Sequence, residues 1–258
     1  MRTVAVFLTV ALTPPPSAYN AADEVTAATS CAFSSDGQQL CGGYDRAVRL
    51  FALERPGRDC ALLPARELGL VTCLAASPSG LLAAGGTSRV CALLDSRSRD
   101  FAALLHGHAG GLTHARFSPC GAYLYTGARR DGGILCWDVR ATEGGALFRL
   151  PRGAADTNQR LAFDIEPGGR HLLAGGTDGL VRAFDLRCGE EVGAWRAAAP
   201  GTCVSGVQLH PYARMGGTCS GQRRFDDEDG EDAGGVAPDN ALSVWRWPAA
   251  TLAAEGGV

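Results

Sequence analysis

Three short clusters in this sequence carry side chains that could hold a polyanion or read a base. Asn158-Gln159-Arg160, Gln222-Arg223-Arg224 and Arg129-Arg130 offer guanidinium groups, which grip phosphate with a two-pronged fork, and the first two add carboxamides able to reach base edges. Single-stranded nucleic acid is recognised by groups of this kind. Each cluster also has a plainer reading as a solvated turn, in which Asn158 folds its own backbone and Arg160 pairs with a neighbouring acid. All 24 basic residues are Arg and none is Lys, a bias that suits phosphate recognition and also follows from codon usage. Against 27 acidic residues the net charge is −3, so the whole-chain field draws no nucleic acid and any such site must be a local patch.

Other chemistry finds less support. His106, His108 and His114 stand close enough in sequence to imitate a metal cluster, but zinc needs a third and usually a fourth ligand converging in space. Gly-x-Ser-x-Gly, His-Glu-x-x-His and Gly-x-x-x-x-Gly-Lys are all missing, so the expectation is a non-enzyme with no metal and no cofactor. Asp226-Asp227-Glu228-Asp229 with Glu231 and Asp232 lacks the alternating ligands and final Glu of a calcium loop. It reads as an acidic surface insertion, residues 225–239, pointing away from any polyanion site. The ten cysteines contain no Cys-x-x-Cys pair and no framework spacing. Cys31, Cys73, Cys91 and Cys136 fall among apolar strand residues, where a reduced Cys acts as a small hydrophobe, and a reducing compartment is expected.

The elements that must position these groups are short strands. Thirty-five glycines and thirteen prolines, with no long apolar helical run, point to an all-β chain of strands and tight turns. A unit of apolar strand, tight turn, apolar strand, polar turn and third strand recurs five times. Its first turns are Ser34-Ser35-Asp36-Gly37, Ser77-Pro78-Ser79-Gly80, Ser118-Pro119-Cys120-Gly121, Glu166-Pro167-Gly168-Gly169 and the variant His210-Pro211-Tyr212-Ala213. Residues 35, 78, 119, 167 and 211 stand 43, 41, 48 and 44 apart, which is the period of a propeller blade. The third strands are Val48–Phe51, Val90–Leu93, Ile134–Asp138, Val181–Asp185 and Leu242–Trp245. A hairpin of this size cannot bury both faces alone, so neighbouring blades must stack.

Trp137-Asp138 and Gly107-His108 resemble the signature dipeptides of the WD-repeat family. That resemblance implies a β-propeller of four-stranded blades, with His108, Thr126, Asp131 and Trp137 as a structural hydrogen-bonded tetrad. Phe51, Leu93 and Phe184 replace the Trp elsewhere, and those blades are expected to rely on packing. Residues 18–248 form the expected propeller, about five blades long at roughly 43 residues each; a truncated seven-bladed ring is favoured over a closed five-bladed one. Residues 1–17 and 249–258 are expected to flank it. Arg2, the apolar run Val4–Leu12 and Pro14 to Pro16 loosely imitate a secretory signal, and the run is also short enough for one buried strand. No stretch approaches the roughly 20 apolar residues of a membrane-spanning helix.

Within the WD-repeat proteins, several segments resemble the telomerase Cajal body protein family. They are Ala18-Tyr19-Asn20 to Ala28, Arg55-Pro56-Gly57-Arg58-Asp59-Cys60, Gly107 to His114 running on to Asp131, Thr157 to Arg160 with Phe163-Asp164, and Val204 to Val207 with Ser220-Gly221-Gln222-Arg223. The resemblance implies a nuclear RNA-binding scaffold that binds the CAB-box loop of small Cajal body RNA and telomerase RNA and directs those particles to Cajal bodies. It further implies telomerase and H/ACA ribonucleoprotein components as partners and a chaperonin for folding, with no membrane. A protein-binding WD-repeat scaffold of another complex, cytoplasmic and without RNA, is the alternative, because the fold alone does not choose a ligand.

Overall fold

The computed structural model describes residues 18–19, 25–54, 60–95, 98, 100–153, 157–221 and 240–247. The segments 1–17, 225–239 and 249–258, the cluster Gln222-Arg223-Arg224 and residues 55–59 lie outside the described residues. The chain divides into two compact units, Met1–Leu105 and His106–Val258.

In the first unit β1 (Ala18–Tyr19) pairs with β2 (Val25–Thr26), putting Ala18 opposite Thr26. Two four-stranded antiparallel sheets follow in plain up-and-down order. The first sheet is β3 (Ser30–Phe33), β4 (Gln39–Tyr44), β5 (Ala47–Ala52) and β6 (Ala61–Pro64). The second is β7 (Val71–Ala76), β8 (Leu81–Gly86), β9 (Val90–Asp95) and β10 (Asp100–His106). One apolar core joins them, with Val48, Leu50 and Leu63 from the first sheet meeting Val71, Leu82 and Leu94 from the second. That shared core takes one face of β8 and β9, through Leu82, Ala84, Val90, Ala92 and Leu94; Ala83, Cys91 and Leu93 on the other face are buried as well, so strict polar alternation is missing from their sequences.

The second unit holds three more sheets. They are β11 (Leu112–Phe117) to β12 (Tyr123–Ala128), β13 (Gly133–Asp138) and β14 (Phe148–Pro151); β15 (Phe163–Ile165) to β16 (His171–Gly175), β17 (Leu180–Asp185) and β18 (Glu190–Arg196); and β19 (Val204–Leu209) with β20 (Met215–Ser220) and β21 (Leu242–Arg246). Tyr125, Ile134 and Leu150 pack on Phe163, Leu172 and Phe184 between the third and fourth sheets. Val181 and Leu173 pack on Val204 and Val207 between the fourth and fifth.

The repeated tight turn has a simple cause. In the first four sheets the residue that opens it accepts a backbone hydrogen bond from the glycine three positions on, as in Gly37 to Ser34 at 3.0 Å and Gly121 to Ser118 at 2.9 Å. In the fifth, the His210 ring replaces that bond, its Nδ1 accepting from the N–H groups of Tyr212 and Ala213. The glycines ending the second strands answer to close approach. A Cβ on Gly86 would lie 2.0 Å from the Leu68 carbonyl oxygen, and one on Gly175 would lie 2.1 Å from that of Val204.

The fifth sheet has three strands among the described residues. One feature departs from the sequence reading: Cys31 points to solvent, whereas Cys73, Cys91 and Cys136 are buried. Cys31 sits in β3, whose neighbours Ser30, Ala32 and Phe33 are only half-buried, so this strand has no fully enclosed position for it.

Candidate nucleic-acid interface

The third sheet is built around a buried chain of polar groups. Trp137 Nε1 donates to Thr126 Oγ1 at 2.7 Å, that hydroxyl lies 2.7 Å from His108 Nε2, and His108 Nδ1 lies 2.7 Å from Asp131 Oδ2. The Asp131 carboxylate can only accept, so the imidazole carries its proton on Nδ1 facing it, which leaves Nε2 to accept from the Thr126 hydroxyl. Burial raises the Asp131 pKa, but the His108 bond and the Arg149 guanidinium 2.6 Å away outweigh it and hold the carboxyl at about 2. Asp131 also accepts from the N–H of Gly133 at 3.2 Å, which fixes the turn between β12 and β13. The fifth sheet keeps half of this arrangement, with Trp245 Nε1 donating to Thr218 Oγ1 at 2.8 Å.

That turn carries Arg129, half-buried, and Arg130, exposed. The N–H of Arg130 donates to the carbonyl of Thr157 at 3.0 Å, which brings the turn against the linker from β14 to β15. The linker holds Asn158 and Arg160 exposed, while Gln159 is half-buried and its backbone N–H bonds the Thr157 hydroxyl at 3.0 Å. The Oε1 of Gln159 is enclosed without a hydrogen-bond partner among the described residues. At its far end the linker reaches the fifth sheet, where Ala162 donates to the Ser205 carbonyl at 2.9 Å. Gly221, the residue before the Gln222-Arg223-Arg224 cluster, donates to the Cys203 carbonyl at 2.9 Å.

Sequence reading missed the residue that cements this corner. Arg152 is 3% exposed, and its guanidinium donates to the carbonyls of Ala128 at 2.8 Å and Asp131 at 3.2 Å in the turn and of Leu161 at 3.2 Å in the linker. Burial lowers its pKa to about 10, against the pull of Asp131, so the group remains a cation at neutral pH. The one sequence signal was its place directly after the outer strand, between Pro151 and Gly153.

A second polar knot ties the first strands of all three sheets in this unit. The buried carboxylate of Asp164 accepts from Arg116 Nε and Gln208 Nε2, at 2.9 and 2.7 Å, and from the N–H groups of Leu209 and Ile165 at 2.8 and 2.9 Å. Beside it His114 Nε2 lies 2.9 Å from the Phe163 carbonyl and donates to it. The bonding of His108 and His114 is thus separate, and among the described residues no three metal-ligating side chains converge.

Residues 21–51 and 100–138 match the family described as WD domain, G-beta repeat. The chain is 40% identical over 252 residues to telomerase Cajal body protein 1 of Mesocricetus auratus, an alignment covering 88% of this chain and 46% of that protein. This chain is a WD-repeat protein of the telomerase Cajal body protein 1 family. The human relative is 39% identical across 84% of this chain and 42% of its own length. A Drosophila melanogaster homolog is 35% identical across 83% and 40%. The chain therefore spans less than half the length of these curated relatives. A chain from a crystal structure of the mitotic checkpoint complex superposes with a TM-score of 0.66 at 21% identity, over 84% of this chain and 62% of that one, which speaks to the propeller fold alone. The family is one of WD-repeat scaffolds and not of enzymes.

Proposed function

We propose that this chain is an RNA-binding WD-repeat scaffold, which binds the CAB-box loop of small Cajal body RNA and telomerase RNA and directs the particles to Cajal bodies in the nucleus. The observation that carries the reading is the Arg130 to Thr157 bond, which sets Arg129 and Arg130 beside Asn158, Gln159 and Arg160 on one rim. Arginines there suit phosphates and stacked bases, and the exposed Asn158 carboxamide suits a base edge. The relatives' name, telomerase Cajal body protein 1, supports an association with telomerase particles; telomerase and H/ACA ribonucleoprotein components as partners, and a chaperonin assisting folding, belong to the proposal. Gln222, Arg223 and Arg224 belong to the proposal as further contacts, and the tetrad residues His108, Thr126, Asp131 and Trp137 as its structural support.

The test is a titration with a CAB-box hairpin and a loop-scrambled control. Loop-selective binding that falls at least tenfold in Arg160→Ala supports the reading, since loss of a charged contact is worth ~1.5–3 kcal/mol; equal binding of both hairpins contradicts it.

One feature favours a second reading as a protein-binding scaffold. A cleft of about 590 Å³ between the fourth and fifth sheets is lined by Trp195, Trp247, Leu209 and Tyr212, and Tyr212 is 95% exposed. Exposed aromatic residues of this kind are enriched at protein interfaces. Binding that is indifferent to salt and lost in Tyr212→Ala would support it.

A further inference from the structure

The fifth sheet ends on a bare strand. β21 pairs with β20 along one edge, and among the described residues no strand pairs with the other. The N–H of Ser220 donates to the carbonyl of Ala241 at 2.9 Å, and that of Trp247 to the carbonyl of Arg214 at 3.0 Å. Antiparallel partners exchange bonds at alternate residues, so Ser243 and Trp245 also bond towards β20, while the backbone groups of Leu242, Val244 and Arg246 point to the open edge. The side chains of the same three residues are exposed, Leu242 to 78% and Val244 to 67%. An edge of this kind is a template for a further strand.

The third sheet shows what belongs there. Trp137 and Trp245 each donate to a threonine hydroxyl on the second strand of their sheet, which sets Ile134 and Cys136 in register with Leu242 and Val244. Ile134 and Cys136 are fully buried, and the outer strand β14 places Leu150 and Phe148 opposite them. A covering strand on β21 therefore needs large apolar residues at two alternate positions. The residues between and beside those turn to the opposite face. There Trp245 meets Trp195 with ring centroids 6.3 Å apart, and Trp195 and Trp247 line the cleft between the fourth and fifth sheets.

Charge fixes the direction. Asp138, the third-sheet counterpart of Arg246, is paired with Arg140 at 2.7 Å, whereas Arg246 enters no ion pair among the described residues. Arg214 stands at the same end of the sheet, and residues 203–221 and 240–247 contain no acid. An acid on the incoming strand thus belongs beside Arg246. The connection 222–239 joins at the Leu242 end and carries seven acids against two arginines, which disfavours a further acid there. The chain's own residues 248–258 are one proline, four alanines, two glycines and a glutamate out of eleven, types that strands avoid, and make a weak rival for the edge.

We propose that the open edge of β21 takes an extended segment of a partner protein as an antiparallel fourth strand, with an acid opposite Arg246 and apolar residues opposite Val244 and Leu242. Main-chain bonds to Leu242, Val244 and Arg246 supply affinity, and the alternate side chains supply selectivity. An apolar residue beside Trp245 faces the aromatic cleft. The site shares that cleft with the protein-binding reading and rests on that reading, not on RNA.

The test is fluorescence anisotropy of the full chain with a labelled, end-blocked Glu-Phe-Ile-Ser-Ile-Lys peptide and its scrambled control, the first expected to bind and the second not. Val244→Pro removes an edge donor that β20 does not use, so folding is expected to persist and affinity to fall by about tenfold or more. Val244→Glu leaves the backbone intact and is expected to give a similar loss, which covers the case of a proline variant that does not fold. Arg246→Glu is expected to weaken the peptide several-fold and to prefer a counterpart that begins with Lys, an exchange that a merely structural arginine would not produce. Peptide binding that survives Tyr212→Ala leaves the edge site standing where the Tyr212 contact of the protein-binding reading fails. Equal affinity in the wild type and the folded Val244 variants overturns the proposal, as does a full chain that binds neither peptide. Binding by a chain ending at Trp247 but not by the full chain overturns it in favour of residues 248–258 as the occupant. A dimer seen by light scattering and lost in Val244→Pro overturns it in favour of a second copy.

Discussion

The backbone N–H of Arg130 donates to the carbonyl oxygen of Thr157 across 3.0 Å, locking a hairpin turn and the linker out of the same sheet side by side. Two stretches that the repeat separates in sequence thereby share one rim of the second unit. The lock is only as firm as the groups that hold it, and those groups can be removed one at a time.

Arg152→Met keeps much of the side-chain volume but deprives the carbonyls of Ala128, Asp131 and Leu161 of their donor. Urea denaturation is expected to show a loss of about 2–4 kcal/mol, with RNA affinity falling alongside as the turn and linker part. Arg152→Lys should recover only a fraction, because a point ammonium cannot bridge carbonyls of both elements as the planar fork does.

Mild acid should weaken the second unit through His114. Burial and the Arg116 guanidinium lower its pKa to about 4, outweighing the Phe163 carbonyl and Asp164, which pull the other way. Its folded pKa lies below the unfolded value of about 6.5, so the stabilisation is complete above pH 6.5 and is lost as pH falls through that window towards 4. Denaturation midpoints of the wild type should drop across this range by a free energy of order 3 kcal/mol, and His114→Gln should show a flatter profile.

Trp137→Phe tests the tetrad without emptying the core. Phe51 and Phe184 hold the equivalent third-strand position in two other sheets, both buried, so the ring is tolerated sterically. What is lost is the bond to Thr126 and some ring area, an expected cost of about 1–2 kcal/mol read by thermal or urea melting. A cost near zero would show that packing alone suffices here too.

The repeat was legible because its turns and third strands carry strong local signals. A turn such as Ser77-Pro78-Ser79-Gly80 states its own geometry, and Ile134 to Trp137 is apolar at every position because every position is buried. The outer strands were not legible: β18 is exposed at nearly every position, so burial imposes no pattern on it. At the candidate site, Asn158, Gln159 and Arg160 stood out by residue type, yet nothing in the spacing showed that Arg130 would meet them. That contact is made by backbone groups, which every residue possesses. Arg152 was hidden for the opposite reason, since its side chain does structural work that its type, read alone, assigns to the surface.

The central claim is that the third sheet's turn and linker act as one RNA contact, and a double-mutant cycle tests it most directly. Affinity for a CAB-box hairpin is measured for the wild type, Arg130→Ala, Arg160→Ala and the double variant at fixed salt, with folding checked by circular dichroism. The account predicts losses in both single variants and a coupling of about 0.5 kcal/mol or more between them, since groups gripping the same ligand segment are not independent. Folded variants that all bind like the wild type, or losses that simply add, would contradict it.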